Sequence, residues 1–163
     1  MNPAVLSGET SFVVTFLASF LIWVMFGGLI FLWIIDGRVK REQALHALLA
    51  ALLAWTFSTM IKSLLPVYRP FIANGHNPLT LTLPSANSSF PSSHVAVAFA
   101  MACSLWIHNK KLGARFALLA ILVGFGRIAS NVHFLSDVLV GILIGILIAF
   151  LLKRLHTFKV VGK

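Results

Sequence analysis

Charge is placed along this chain in a way that leaves few folds open. Phe12 to Ile35 is a run of 24 residues without a charged side chain, longer than the roughly 20 needed to cross the hydrocarbon core of a bilayer. Four further apolar runs follow, at 43–61, from Phe90 through Ile107, from Leu112 to Gly126 and from about Val132 to Leu152, and most are bounded by basic residues. Charged residues are only 10% of the chain against 59% hydrophobic, with a mean hydropathy of +0.95; a soluble domain carries about 25% charge. The expected architecture is therefore all-α: one polytopic membrane bundle over 1–163, with about five transmembrane helices and a long loop between the second and third. The net charge of +9 does not point to nucleic acid, because the cations come in short clusters between apolar runs, as membrane topology requires. Cys103 is the only cysteine, so neither an intrachain disulfide nor a cysteine metal site is expected. The first eleven residues hold no Lys or Arg, and a cleavable signal peptide with a basic start is not expected.

Five spans put the termini on opposite sides, and the cations then divide unevenly. One side receives ten: Arg38, Lys40, Arg41, Lys110, Lys111, Arg115, Lys153, Arg154, Lys159 and Lys163. The other receives Lys62, Arg69 and Arg127. Cytoplasmic loops collect Lys and Arg, so the side with three is expected to be extracytoplasmic. That side also holds His94, His133 and Asp137.

Asp137 is the last of four acids; the other three, Glu9, Asp36 and Glu42, all precede residue 43. It follows His133 by four residues, a spacing that shares one face of a helix. A carboxylate behind an imidazole fixes its tautomer and aims the other nitrogen outward. Arg127, six residues before the histidine, offers a planar donor fork suited to phosphate or carboxylate. Polar groups set between apolar runs are costly in lipid and are functional candidates by default.

Upstream, Pro66 and Pro70 close the second run and begin an acid-free loop rich in Pro, Asn, Ser and Thr. Its centre, Leu79 to Pro84, alternates but is too short to read as a strand. Pro91-Ser92-Ser93-His94 opens the third run, with proline suited to a first helical turn and Ser89 or a neighbour available as cap. Free amides of Ser92, Ser93 and His94 at the helix start would make an anion site. Three cations with such amides form a cradle for a highly charged oxyanion, which phosphate fits best. Two histidines suggest a nucleophile backed by Asp137 and an acid for the leaving oxygen. Zinc on His94, His133 and Asp137 is the chemical competitor, disfavoured by three nearby cations and a single carboxylate; no metal and no cofactor are expected.

These segments resemble the signature of the type 2 phosphatidic acid phosphatase superfamily, membrane relatives of vanadium haloperoxidases. Its pattern is Lys-x6-Arg-Pro, Pro-Ser-Gly-His and Ser-Arg-x5-His-x3-Asp. Lys62 to Pro70 matches the first throughout; the second matches except for Ser93 in place of glycine, and the third except for Gly126 in place of serine. The motifs occupy 62–137, and the family commonly has six spans against the five counted here. The resemblance implies a metal-independent phosphatase acting through a phosphohistidine. His133 would be the nucleophile, Asp137 its orienting partner and His94 the general acid, while Lys62, Arg69, Arg127, Ser92 and Ser93 hold the phosphate. Ser93 keeps its amide but has less backbone freedom than glycine, and Gly126 removes a hydroxyl that could touch phosphate.

The expected partners are the bilayer and a lipid phosphate. An extracytoplasmic site in so small a chain resembles bacterial undecaprenyl-diphosphate phosphatases, which makes undecaprenyl diphosphate or a related isoprenoid phosphate the expected substrate and a bacterial inner (plasma) membrane the expected location. Phosphatidic acid, phosphatidylglycerol phosphate and lipid A phosphate are the alternatives, and a non-enzymatic binder or carrier of lipid head groups is the rival of another class.

Overall fold

Runs of Leu, Ile, Ala and Phe without interior proline fold as helices, since a bilayer-spanning backbone must satisfy its own polar groups. The computed structural model describes residues 8–35 and 38–161; the expected turn at Asp36-Gly37 and the terminal Lys163 lie outside the described residues. A first span is built from α1 (Gly8–Thr15), a π-helical turn (Phe16–Phe20) and α2 (Leu21–Ile35). Then come α3 (Arg38–Leu64), the short α4 (Pro70–Asn74), α5 (Ser93–His108), α6 (Lys110–Ala129) and α7 (Leu135–Val161). Apart from one isolated parallel bridge, Val67 to Ser88, no β pairing occurs among the described residues.

Four of these helices are long and apolar enough to cross a membrane: Ser11–Ile35, Arg41–Leu64, Lys110–Ala129 and Leu135–Leu155. The fifth, α5, has only 16 residues, a rise of about 24 Å. It is the axis of the bundle. Val95, Ala96, Ala98, Ala100, Met101 and Leu105 on it are fully buried, and α3, α6 and α7 pack around it.

Small residues set the spacing of that packing. On α3 a stripe of Ala44, Ala47, Ala51, Ala54 and Ser58 is buried while Leu45, Leu49, Leu52 and Trp55 face outward, the reverse of a water-soluble helix. On α7, Gly141 and Gly145 face α5. A Cβ at Gly141 would lie 2.8 Å from the Ser92 carbonyl oxygen, and one at Gly145 would lie 2.5 Å from that of Ala96. This small-xxx-small contact lets the two backbones approach. It fixes the start of α5, which carries His94, against the start of α7, which carries Asp137.

Two helix starts differ from the sequence expectation. Pro91 lies ahead of α5 rather than in its first turn, and Ser92 is the N-cap but makes no side-chain capping bond; Ser89 is engaged elsewhere. The last helix begins at Leu135 rather than about Val132, because Asn131 adopts a left-handed conformation, φ 61°, and turns the chain.

Candidate active site

The loop between α3 and α5 folds back on itself. Arg69 N donates to Ala86 O and Ser89 N to Val67 O, which lays residues 85–89 beside 67–69. Arg69 then commits its fork to backbone oxygens: Nε donates to Ser85 O at 2.8 Å and Nη2 to Ser88 O at 3.0 Å within the loop, and Nη1 to Val132 O, in the turn before α7, at 2.9 Å. Lys62 Nζ, at the end of α3, donates to Ser88 O and Ser89 O. Both residues expected to cradle phosphate are thus also the clamps that hold this loop over the bundle. Buried carbonyls need donors, and a loop without acids meets these cations with carbonyls and, 3.5 Å from Arg69 Nη2, the Ser88 hydroxyl.

His133 and Asp137 meet, but not as successive turns of one helix. His133 lies in the turn before α7, and Asp137 is in the first turn. Asp137 Oδ2 accepts from Phe134 N at 2.9 Å, the reach-back of a capping box, in which a first-turn acid satisfies the amide ahead of its helix. The same oxygen accepts from Ser89 Oγ at 2.5 Å and pairs with His133 Nδ1 at 3.3 Å. Asp137 is 1% exposed and His133 3%. The network assigns the tautomer: Nδ1–H donates to the carboxylate, and Nε2, 3.3 Å from Arg69 Nη1, keeps a lone pair. Burial first, then Arg127, Arg69 and Lys62, push the His133 imidazole down to about 3, against the bond to Asp137, which raises it. The ring is therefore neutral near pH 7, as a nucleophile requires.

This depression has a sign that can be tested. Between the ordinary value of 6.5 and about 3 the unfolded chain takes up a proton at this position and the folded chain does not, so stability falls as pH drops through that window. The melting temperature in detergent should decline from pH 7 to pH 4, and decline less steeply in His133→Gln. Equal slopes would mean that another group carries the loss.

The Ser92 amide is not free. It donates to the backbone oxygen of Asp137 at 3.0 Å, tying α5 to α7, so the expected row of open amides at the start of α5 is shortened by one; the Ser92 hydroxyl is buried without a partner. Arg127, 5% exposed, donates Nη1 to Ala18 O, and its Nε is buried without a partner.

Lys62, Arg69, Ser93, His94, Arg127 and His133 all line one cavity of about 980 Å³; Ser92 and Asp137 stand behind its wall. The same cavity runs along Leu48, Leu52, Trp55 and Thr59 of α3 and Trp23 and Phe26 of α2. From Leu48 to Lys62 is about 21 Å along a helix. The cavity is cationic at one end and apolar along the rest. Among the described residues no group of three His, Cys, Asp or Glu side chains gathers as a metal shell.

Four participants lie beyond the sequence expectations, one hydroxyl and three carbonyls. Ser89 enters the sequence expectations only as a cap, yet its hydroxyl, five residues before His94, is of a type that can donate to the lone acid. The carbonyls of Ser85 and Ser88 and that of Ala18 are backbone groups, and no residue type announces them.

The sequence profile of the PAP2 superfamily matches residues 43–160. The bacitracin transport permease protein BcrC of Bacillus licheniformis is 32% identical over 137 residues, 79% of this chain and 63% of that one. The undecaprenyl-diphosphatase BcrC of Bacillus subtilis (strain 168) is 29% identical over 126 residues, 77% and 64% of the two chains. The alignment thus spans less than two thirds of these relatives' length. Among solved structures, Aquifex aeolicus LpxE superposes with a TM-score of 0.77 at 31% identity, covering 93% of this chain and 90% of that one. A PAP2-type phosphatidylglycerolphosphate phosphatase from Bacillus subtilis gives 0.63 at 25% identity, covering 94% and 80%.

Proposed function

This chain belongs to the PAP2 superfamily, and from that premise we propose that it is a metal-independent lipid phosphatase whose nucleophile is His133. The observation that carries the reading is the His133 imidazole itself, backed by Asp137 and opening on a cavity with a cationic end and an apolar length. His133 Nε2 attacks phosphorus, and the bond from phosphorus to the leaving oxygen breaks. His94, which lines the same cavity and enters the step as an imidazolium stabilised by the negative charge of the bound phosphate, gives that oxygen its proton. It then takes a proton from the water that attacks the phosphohistidine, releasing inorganic phosphate and restoring a neutral His133. Arg127 and the α5 start at Ser93 stabilise the charge that develops on the equatorial oxygens. Lys62 and Arg69 share this work with their loop contacts.

The apolar length of the cavity supports a substrate whose chain stays beside α2 and α3 while its phosphate reaches Lys62 and His133. Undecaprenyl diphosphate, or a related isoprenoid phosphate, is the proposed substrate, supported by the name of the B. subtilis BcrC relative; phosphatidylglycerol phosphate is the alternative that the second solved neighbour suggests. Purified protein should release phosphate from one of a panel of polyprenyl and glycerolipid phosphates in excess chelator, and vanadate should inhibit. Activity lost in chelator and recovered with zinc or magnesium would overturn the metal-free mechanism. Binding of these lipids without phosphate release would favour the carrier reading.

The site is proposed to face away from the cytoplasm of a bacterial inner membrane, since ten of thirteen cations lie on the other side. In sealed right-side-out vesicles, a cysteine at the exposed Asn77 (in a Cys103→Ala background) should react with an impermeant thiol reagent. One at the exposed Lys111 should stay protected until the membrane is opened; Lys111 is the better probe than Asn109, whose side chain caps α6 by accepting from Leu112 N. The reverse pattern would put the site in the cytoplasm.

A further inference from the structure

The first span precedes the residues matched by the family profile, 43–160, yet it reaches into the site. Its π turn, Phe16–Phe20, replaces the regular i→i+4 pairing by i→i+5, a local widening that often marks functional positions. Three contacts converge on it. Ala18 O accepts from Arg127 Nη1 at 2.9 Å. Ser19 Oγ accepts from Leu81 N of the loop at 3.4 Å, and Ser19 and Phe20 line the cavity. The third contact is with Gly126. A Cβ there would lie 2.7 Å from Ala18 N, 2.7 Å from the Leu17 carbonyl carbon and 2.8 Å from Leu17 Cβ. Two of these atoms are backbone and cannot swing away.

We infer that the π turn is the positioning element for Arg127, and that glycine stands at 126 because the first span occupies the space a serine side chain would need. On this account the departure from the family motif is not a lost phosphate contact. It is the fit that lets Ala18 O hold one arm of the Arg127 guanidinium, leaving the unpartnered Nε side of the fork to a phosphate oxygen. The inference rests on the reading of the cavity as a phosphate site.

The two accounts of Gly126 predict opposite results when the motif residue is restored. If glycine merely removed a hydroxyl, Gly126→Ser should bind phosphate analogues as well or better. If the first span needs the space, Gly126→Ser and Gly126→Ala should both displace Arg127. Vanadate binding can be read without turnover as the rise in melting temperature it causes in the full-length protein, and the melt without vanadate reports folding in the same experiment. Vanadate affinity should weaken about tenfold or more in both variants, the size expected when a charged hydrogen-bond donor is misplaced. Deleting Phe16, which returns the turn to α register without adding bulk at 126, should weaken it by a similar factor, and decides the matter if the glycine variants do not accumulate. Wild-type affinity in Gly126→Ser or in the deletion would overturn this inference alone. A wild-type protein that binds no vanadate would overturn the phosphate-site reading and this inference with it.

Discussion

His133→Ala should abolish turnover together with any acid-labile, alkali-stable phosphoenzyme, a fall of about 10⁶-fold, the scale seen when the residue that forms a covalent intermediate is removed. The size follows from how little else could substitute. Nε2 of His133 carries a lone pair, with the ring's proton held on the far side by Asp137, and among the described residues His94 is the only other imidazole lining the cavity. His94 would have to act as nucleophile and leaving-group acid at once. Vanadate should still bind the variant, because Arg127 and the other cations remain, so loss of chemistry can be told from loss of the site. His133→Gln guards against a cavity artefact, since the buried position would otherwise lose a ring that also sits beside Arg69 Nη1. If His133→Ala turned over at near wild-type rate, the assignment of the nucleophile would be wrong. If vanadate affinity vanished as well, His133 would be holding the loop rather than doing the chemistry.

What the sequence disclosed and what it hid divide along a physical line. The helices were legible because a charge-free run of 24 residues has one economical home, and the all-helical bundle follows from it. The shortness of α5 was less visible: a helix that is buried by its neighbours on nearly every side need not match the bilayer, and no composition distinguishes it from a spanning one. The approach of His133 to Asp137 was legible from spacing, but its geometry was not, since it depends on Asn131 turning the chain before α7. The roles of Lys62 and Arg69 were half visible. Their side chains announce cations, while their partners are carbonyls of Ser85, Ser88 and Ser89, identical in every residue type. The contact of Arg127 with Ala18 spans 109 positions and belongs to tertiary packing alone.

Asp137→Asn should lower kcat by about 10⁴-fold while leaving KM and vanadate affinity near wild type, the loss expected when an imidazole's partner can no longer fix its tautomer. Three donors now share Oδ2: Ser89 Oγ, Phe134 N and His133 Nδ1. An amide oxygen placed there can still accept from Ser89 and from Phe134 at the helix start, so α7 keeps its cap. If the amide nitrogen turns toward His133 instead, Nδ1 must become the acceptor and the proton moves to Nε2, the atom that should attack. Either way the full negative charge that would stabilise a transient imidazolium is gone. Ser89→Ala tests the same network from the other side. It removes one charge-assisted bond to a buried carboxylate, a contribution of about 1.5–3 kcal/mol, and should lower the melting temperature with a much smaller effect on kcat. The order of the two variants is the discriminating result. A larger kcat loss in Ser89→Ala than in Asp137→Asn would mean that Asp137 serves chiefly to join the loop to α7, and that His133 finds its tautomer without it.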